Sequence, residues 1–473
     1  MPLIRPVPLL PATEVGDVHF IAIGGAGMSG IATAYAELGV RVSGSDQADS
    51  AALRELQARG IDARVGHDPA NLGTAATVVI SSAVRETNVE LAEARRRGLR
   101  IWHRSAGLAA LMVHRTGIAV TGTHGKTTTS AMTAVLLAET GADPSYVIGS
   151  PLTSSGTSAH LGGGEAFVVE ADESDGSFLQ YPARIVVITN IEADHLDNWG
   201  TAEAYAAGFA ELTRAAGVEA VVLSADDPGT RVLIDPLRAA GKQVVTVGES
   251  WDADVRLEGL SFSGARASAH LHADGDQGPL SLVVPGRYNL LNAAAAYAVG
   301  RLLGIDGARL RQAATAFDGT DRRFQRVGEV NGVTVIDDYA HHPTEVVATL
   351  TAARVLAGAG RLVACFQPHL FTRTRDFAGQ FARALSLADV IVVLGIYAAR
   401  EDPIPGVTGH LVIDALEGIS QLETIHYVEE MSEAPGLLAG LVTPGDLVVT
   451  LGAGDVTRVG PALVGLLAAE DHR

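Results

Sequence analysis

Cysteine is nearly missing from this chain: Cys365 is the only one in 473 residues. No intrachain disulfide can form, so packing alone must hold the fold, and a reducing compartment is expected. Lysine is almost as scarce, with Lys126 and Lys242 the only two in a basic set of 35. No apolar run approaches the roughly 18 residues that suggest a membrane span. The first ten residues carry three prolines and lack the long apolar core of a signal peptide. Positive charge is also short, and the formal net charge is −19. That balance argues against general binding to nucleic acid or acidic membranes, which need basic patches. Small anionic ligands remain open, because helix N-termini and a few arginines hold them locally. A cytoplasmic, soluble protein is expected, monomeric or weakly dimeric, with no nucleic-acid or membrane partner.

What is present is a chain of 47 % hydrophobic and 19 % charged residues, long enough for roughly three domains of about 150 residues each. The stretch Thr116 to Gly141 organises it. Ile118 to Val120 reads as a short strand, followed by Gly122-Thr123-His124-Gly125-Lys126-Thr127-Thr128-Thr129. A helical pattern then places Met132, Val135 and Leu136 on one face. Strand, glycine loop, lysine-hydroxyl pair and helix form a phosphate cradle. Gly122 and Gly125 let backbone N–H groups approach phosphate, and Lys126 adds a point charge. The Thr127 hydroxyl can ligate magnesium, and the helix N-terminus adds partial positive charge. Val120 stands where the strict pattern has its first glycine, and a plain glycine-rich turn is the alternative. A lysine in a chain that elsewhere uses arginine favours the phosphate reading, since a compact ammonium is what the cradle needs.

Before this stretch, Val18 to Ile23 reads as a buried strand, with a helix through Leu38. Between them Gly25, Gly27 and Gly30 satisfy G-x-G-x-x-G. A second strand, Arg41 to Ser43, ends near Asp46, at the spacing where an acid meets a ribose hydroxyl. Ser81 and Ser82 end another strand. A tight turn without ligand is the alternative, and the segment does not say which nucleotide it takes. After the stretch come two acidic strand ends, Glu170 to Asp175 and Glu192 to Asp197, placed where a phosphate loop needs a magnesium carboxylate. His195 could complete a second metal site, although a solvated strand end explains it as well. Residues 252 to 284 alternate and turn like β-hairpins. Asn289 and Asn292 open an alanine-rich helix, as base readers or as caps, and Arg323 could reach phosphate. Boundaries are expected near residues 106 and 321. The last unit again alternates strand and helix, with His341 and His342 after one strand and Gln367-Pro368-His369 after another. This is the pattern of a doubly wound sheet.

The motifs GGAGMSG at 24–30, GTHGKTTT at 122–129, EADESD at 170–175 and NIEADHLD at 190–197 are joined by RYNLLNA at 287–293, DDYAHHPTE at 337–345, FQPHLFTRTRDF at 366–377 and LGAGD at 451–455. Together they resemble the Mur ligase family over nearly the whole chain. The resemblance implies an α/β protein of three domains: a Rossmann-like UDP-binding domain at 1–106, a central P-loop ATPase domain at 107–321, and a C-terminal Rossmann-like doubly wound domain at 322–473. It implies ATP-dependent joining of L-alanine to the lactyl carboxylate of UDP-N-acetylmuramate through an acyl phosphate, with ATP and Mg2+ as cofactors. By the same resemblance Gly25, Gly27, Met28, Asp46 and Ser81 serve the UDP-sugar. Gly122, Thr123, His124, Gly125, Lys126, Thr127 and Thr128 hold ATP, with Asn289, Asn292, Arg323 and Asp338. Thr127, Glu170 and His195 hold metal, while His341, His342 and Arg373 face the amino acid and the reacting carboxyl. Lys126, His195, His342 and Arg373 form the expected catalytic set, with His342 as base or as positioning group.

Two departures stand out. Arg104-Ser105-Ala106-Gly107 lacks the glutamate of the R-A-E-M-like stretch frequent in the family. No lysine lies between Lys126 and Lys242, so the carbamylated lysine that bridges metals in some sister ligases is not expected. Three other functions compete. A recycling ligase would join a preformed peptide to the same UDP-sugar, against the FQPHLFTRTR segment. A dinucleotide oxidoreductase would use Gly25 to Asp46 but leave Lys126 and both acidic clusters idle. A UDP-sugar sensor would need only the first domain.

Overall fold

The computed structural model describes residues 3–399, 401–419 and 424–470. They build three sheets of five, ten and six strands. By spatial contact the chain falls into two compact units, one of Met1–Glu258, His270–Pro279 and Leu291–Ala316, the other of Gly259–Ala269, Leu280–Leu290 and Phe317–Arg473. No helix among the described residues is long and apolar enough to cross a membrane.

The first sheet runs β1 Val18–Ile21, β2 Val42–Asp46, β3 Asp62–Val65, β4 Thr77–Ile80 and β5 Arg100–His103, in the order β3-β2-β1-β4-β5. All its pairings are parallel, so the glycine loop after β1 lies at the carboxyl edge where such sheets bind ligands. β1 stops two residues earlier than the sequence suggests, because Ala22 takes a positive φ of 65° and turns the chain into the loop. β2 runs on through Asp46, because it is paired on both sides, Ser45 with Ile21 and Asp46 with Val65.

The second sheet begins with β6 Thr116–Thr121, then β7 Ser145–Val147, β8 Ala159–His160, β9 Ala166–Glu170, β10 Ala183–Ile188, β11 Ala220–Ser224 and β12 Gln243–Gly248. The hairpin region supplies β13 Val255–Ser263, β14 Arg266–Ala273 and β15 Asp276–Leu282. β6 pairs in parallel with β9 on one side and β10 on the other. Ile118, Ala119 and Val120 are fully buried there, which is why this strand reads as an unbroken apolar run instead of alternating. Val120 belongs to the strand, opposite Glu170 and Val187. The loop therefore starts at Gly122 and is shorter than the strict phosphate-loop pattern.

The third sheet comprises β16 Gln325–Val330, β17 Val333–Asp338, β18 Leu362–Phe366, β19 Val390–Leu394, β20 Thr424–Val428 and β21 Leu447–Leu451, ordered β16-β17-β21-β18-β19-β20. Only β16 is antiparallel. β18, β19 and β21 are buried along their whole length. Helices Pro343–Ala357 and Phe371–Leu385 follow β17 and β18, so the residues that open these helices gather at the carboxyl edge.

Candidate active site

In the first unit the loop between β6 and the helix Lys126–Glu139 turns on two glycines. Gly122 has φ 127°, and a Cβ there would lie 2.2 Å from the Thr189 hydroxyl. Gly125 has φ 83°, and the Asn292 amide oxygen lies 3.1 Å from where its Cβ would be. Both glycines are therefore required by close packing, Gly122 against Thr189 and Gly125 against Asn292, as well as by their positive φ. The loop is tied down from below. The Thr123 hydroxyl bonds the Glu192 carbonyl and the Tyr205 hydroxyl at 2.9 and 3.0 Å. Asn190 takes the His124 N–H and returns its own amide to the His124 carbonyl, both at 2.9 Å. Thr123 and His124 thus hold the loop's shape, while Thr128 sits half-buried in the first helical turn.

Lys126 points back over this loop. Its Nζ donates to the Gly122 carbonyl at 2.7 Å, the Thr123 carbonyl at 3.1 Å and Glu173 at 2.9 Å. An ammonium has three donors, and all three are placed. Burial works against the charge, but Glu173 and then Asp172 hold Lys126 above its ordinary value. Burial pushes Glu173 up to about 7, against the pull of Lys126.

The metal candidates divide between two neighbouring spots. The Thr127 hydroxyl donates to Glu170 at 3.0 Å, and the other Glu170 oxygen takes the Gly149 N–H at 2.7 Å. A hydroxyl and a carboxylate at a phosphate loop form a hard oxygen donor set, which fits Mg2+. His195 instead has its Nε2 3.6 Å from Asp194 and 3.9 Å from Glu173. Glu173 was not singled out by sequence, because several acids crowd EADESD and only the fold shows which one meets the lysine.

At the first glycine loop, Gly25 caps the helix Ala26–Glu37, and a Cβ on Gly27 would stand 3.1 Å from the Arg104 guanidinium. The Met28 side chain is in the core. Asp46 receives the Gly24 N–H at 2.9 Å, so it braces this loop as well as ending β2. Ser81 is half-buried after β4, and its neighbour Ser82 meets His103 at 3.0 Å.

In the second unit Asp338 accepts the Phe324 and Ala340 N–H groups at 2.7 and 2.8 Å, and burial pushes it up to about 6. The guanidinium of Arg323 lies 4.9 Å from the Tyr339 ring, with Arg322 4.8 Å from the same ring. Asn289 donates its amide to the Pro285 carbonyl at 2.6 Å, which ties down its own helix start.

His341 and His342 open the helix Pro343–Ala357, where Glu345 takes both backbone N–H groups at 3.0 and 3.2 Å. His341 Nδ1 meets the Tyr339 carbonyl at 3.0 Å, and burial pushes the ring down to about 3. His342 is buried, with its ring 5.2 Å from Phe377. Arg373, buried on the next helix, reaches His369 Nδ1 at 3.4 Å, and His369 stacks on Tyr397 at 5.8 Å. Glu401 holds that helix's start through the Thr372 N–H at 3.0 Å. His369, Tyr397, Glu345 and Glu401 are additions to the expected set. The signal available for Glu345 and His369 was their place inside the motifs at 337–345 and 366–377.

The first unit carries a glycine-lysine phosphate cradle and a doubly wound sheet, the second unit carries another such sheet, and these are the parts of a nucleotide-dependent enzyme. Three family models match in series: the Mur ligase family catalytic domain over residues 17–116, the Mur ligase middle domain over 120–300, and the Mur ligase glutamate ligase domain over 322–454. A UDP-N-acetylmuramate–L-alanine ligase of Cutibacterium acnes is 62 % identical over 99 % of both chains. A protein of the same name from Kineococcus radiotolerans is 53 % identical over 96 % of this chain and 97 % of that one. The crystal structure of the UDP-N-acetylmuramate–alanine ligase of Thermotoga maritima matches with a TM-score of 0.80 at 31 % identity, covering 96 % of this chain and 99 % of that one. The chain belongs to the Mur ligase family, and it is a ligase.

Proposed function

We propose that this chain joins L-alanine to the lactyl carboxylate of UDP-N-acetylmuramate, driven by conversion of ATP to ADP and phosphate, in peptidoglycan precursor synthesis. The observation that carries the reading is the 62 % identity over 99 % of a ligase of that name, joined to a built phosphate cradle around Lys126. A carboxylate is a poor electrophile, so its oxygen first takes the γ-phosphoryl group and leaves ADP. The amine then attacks the acyl phosphate, the C–O bond to phosphate breaks, and an amide and inorganic phosphate remain. Lys126 leaves Glu173 or a loop carbonyl to meet the transferring phosphoryl group, where a preorganised cation lowers the barrier most. Thr127 and Glu170 would hold Mg2+, which would offset phosphate charge, and His195 would serve a second metal site. Asn292, which packs against Gly125, serves ATP together with Asn289, Arg323 and Asp338. Gly25, Gly27, Met28, Asp46 and Ser81 serve the UDP-sugar.

His341, His342 and Arg373 receive the amino acid. His341 is held neutral, with Nδ1 donating to a carbonyl, so its Nε2 can accept from the amine. The domain limits at residues 106 and 321 belong to the same proposal. The test is ADP release from ATP with UDP-N-acetylmuramate and, separately, L-alanine, glycine, L-serine or a free tripeptide. Release that is fastest with L-alanine supports the assignment. Release with the tripeptide alone would assign a recycling ligase, and none with any acceptor would leave a UDP-sugar-binding protein.

A further inference from the structure

All three donors of Lys126 are taken within the protein, so the lysine has to give up a partner before it can meet a phosphoryl group. One buried hydroxyl stands where that exchange takes place. Tyr205, on the helix Ala202–Arg214, is fully buried. Its ring meets Phe209 at 5.2 Å and Trp199 at 6.0 Å, both near a right angle. Trp199 Nε1 in turn donates to the Glu173 carbonyl at 2.9 Å, so one aromatic cluster holds both the ring and the acidic strand end. The phenol oxygen is thereby fixed between two groups, 3.0 Å from Thr123 Oγ1 and 3.3 Å from Glu173 Oε1. Burial, and then Glu173, hold the phenol above its ordinary value, so it keeps its proton.

The hydrogen bonds around it say what that proton is for. Thr123 Oγ1 donates to the Glu192 carbonyl and accepts the Glu192 N–H, both at 2.9 Å. It can therefore take the Tyr205 proton but has none to return. Among the described residues, the Glu173 side chain takes hydrogen bonds from Lys126 Nζ at 2.9 Å and from Tyr205 at 3.3 Å. His195 Nε2 stays beyond hydrogen-bond reach at 3.9 Å. The phenol thus has one proton for two acceptors, and turning about its C–O bond gives it to either. With Lys126 on Glu173, the nearer Thr123 oxygen takes it. With Lys126 drawn to phosphate, Glu173 would be a buried carboxylate short of a donor, which is costly. Tyr205 is then the donor already in place to fill the gap.

We propose that Tyr205 is a positioning residue for Lys126: its hydroxyl takes over Glu173 when the lysine turns to the phosphates of ATP, and so makes the lysine easier to release. The inference rests on ATP occupying the Lys126 loop. Tyr205 touches neither nucleotide nor metal in this role and acts only through Glu173 and Thr123. The hydroxyl alone carries it, since phenylalanine would keep the ring against Phe209 and Trp199 and lose only the donor.

A double-mutant cycle tests it, with the affinity for β,γ-imido-ATP and Mg2+ measured by calorimetry on the full chain. Tyr205→Phe is expected to weaken the analogue about tenfold. Glu173→Gln leaves no charge behind when the lysine moves, so adding Tyr205→Phe to it should cost about twofold or less. A role in packing alone would cost the same in both backgrounds, and that result overturns the proposal. No loss in Tyr205→Phe also overturns it. Binding of UDP-N-acetylmuramate to the same proteins is expected to be unchanged, and a matching loss there would show general loosening and overturn the proposal. Because each step of the cycle is a ratio, variants of lower stability still report it. A wild type that binds UDP-N-acetylmuramate but no imido-ATP would remove ATP from this loop, and the role of Tyr205 with it.

Discussion

Lys126 shows what a single side chain can reveal and conceal. Its rarity marks it in the sequence, and the loop around it names its ligand. Its partner Glu173 is hidden among the acids of EADESD, because the pairing depends on how the end of β9 turns under the helix. Lys126→Ala is expected to lower ADP release by about 10²–10³-fold or more. Lys126→Arg should not restore it, because the ammonium sits between two loop carbonyls at 2.7 and 3.1 Å, where a planar guanidinium cannot fit. Steady-state ADP assays of both variants check this, and wild-type turnover in Lys126→Arg would contradict it. Gly122 is equally legible as a glycine, but the reason for it lies in β10's neighbour Thr189. Gly122→Ala is expected to cost about 1–3 kcal/mol in backbone strain alone. Its Cβ would also meet the Thr189 hydroxyl at 2.2 Å. A lower melting temperature and weaker ATP binding are the expected readouts.

At the scale of elements, a buried hydrogen-bond network around Glu90 joins β1, β2 and the helix Val89–Arg96. Against burial, bonds from His19, Ser45 and Asn71 lower Glu90 from 4.5 to about 2. A folded value below the unfolded one means stability that is present above about 4.5 and lost as pH falls toward about 2. The shift corresponds to roughly 3 kcal/mol at most. Urea unfolding of Glu90→Gln against wild type should therefore show a clear deficit at pH 7 that narrows between pH 4.5 and 2. A deficit independent of pH would assign Glu90 a packing role only. None of this network was legible beforehand, since His19, Ser45, His67 and Glu90 are far apart in sequence and carry no motif. The glycine loops and the acidic strand ends were legible, because their chemistry is local to one strand-helix turn.

For the whole molecule, the repeating alternation of apolar runs and helical patterns was enough to read doubly wound α/β architecture. Strands such as β18, β19 and β21 are buried on both faces and so write themselves as continuous runs. Strand order and the exact ends of β1 and β2 were not legible, because pairing partners decide them. His341 and His342 were visible as a pair, but their different surroundings, one ring bonded to a carbonyl and the other against Phe377, came only with the fold. These features converge on a ligase that activates a carboxylate with ATP before an amine attacks it. The most direct measurement uses UDP-N-acetylmuramate labelled with 18O in its lactyl carboxylate, with ATP and L-alanine, and follows the released phosphate by 31P NMR. Transfer of one 18O into inorganic phosphate for each amide formed is the expected result. Unlabelled phosphate alongside amide formation would contradict an acyl phosphate and the ligase chemistry assigned to this chain.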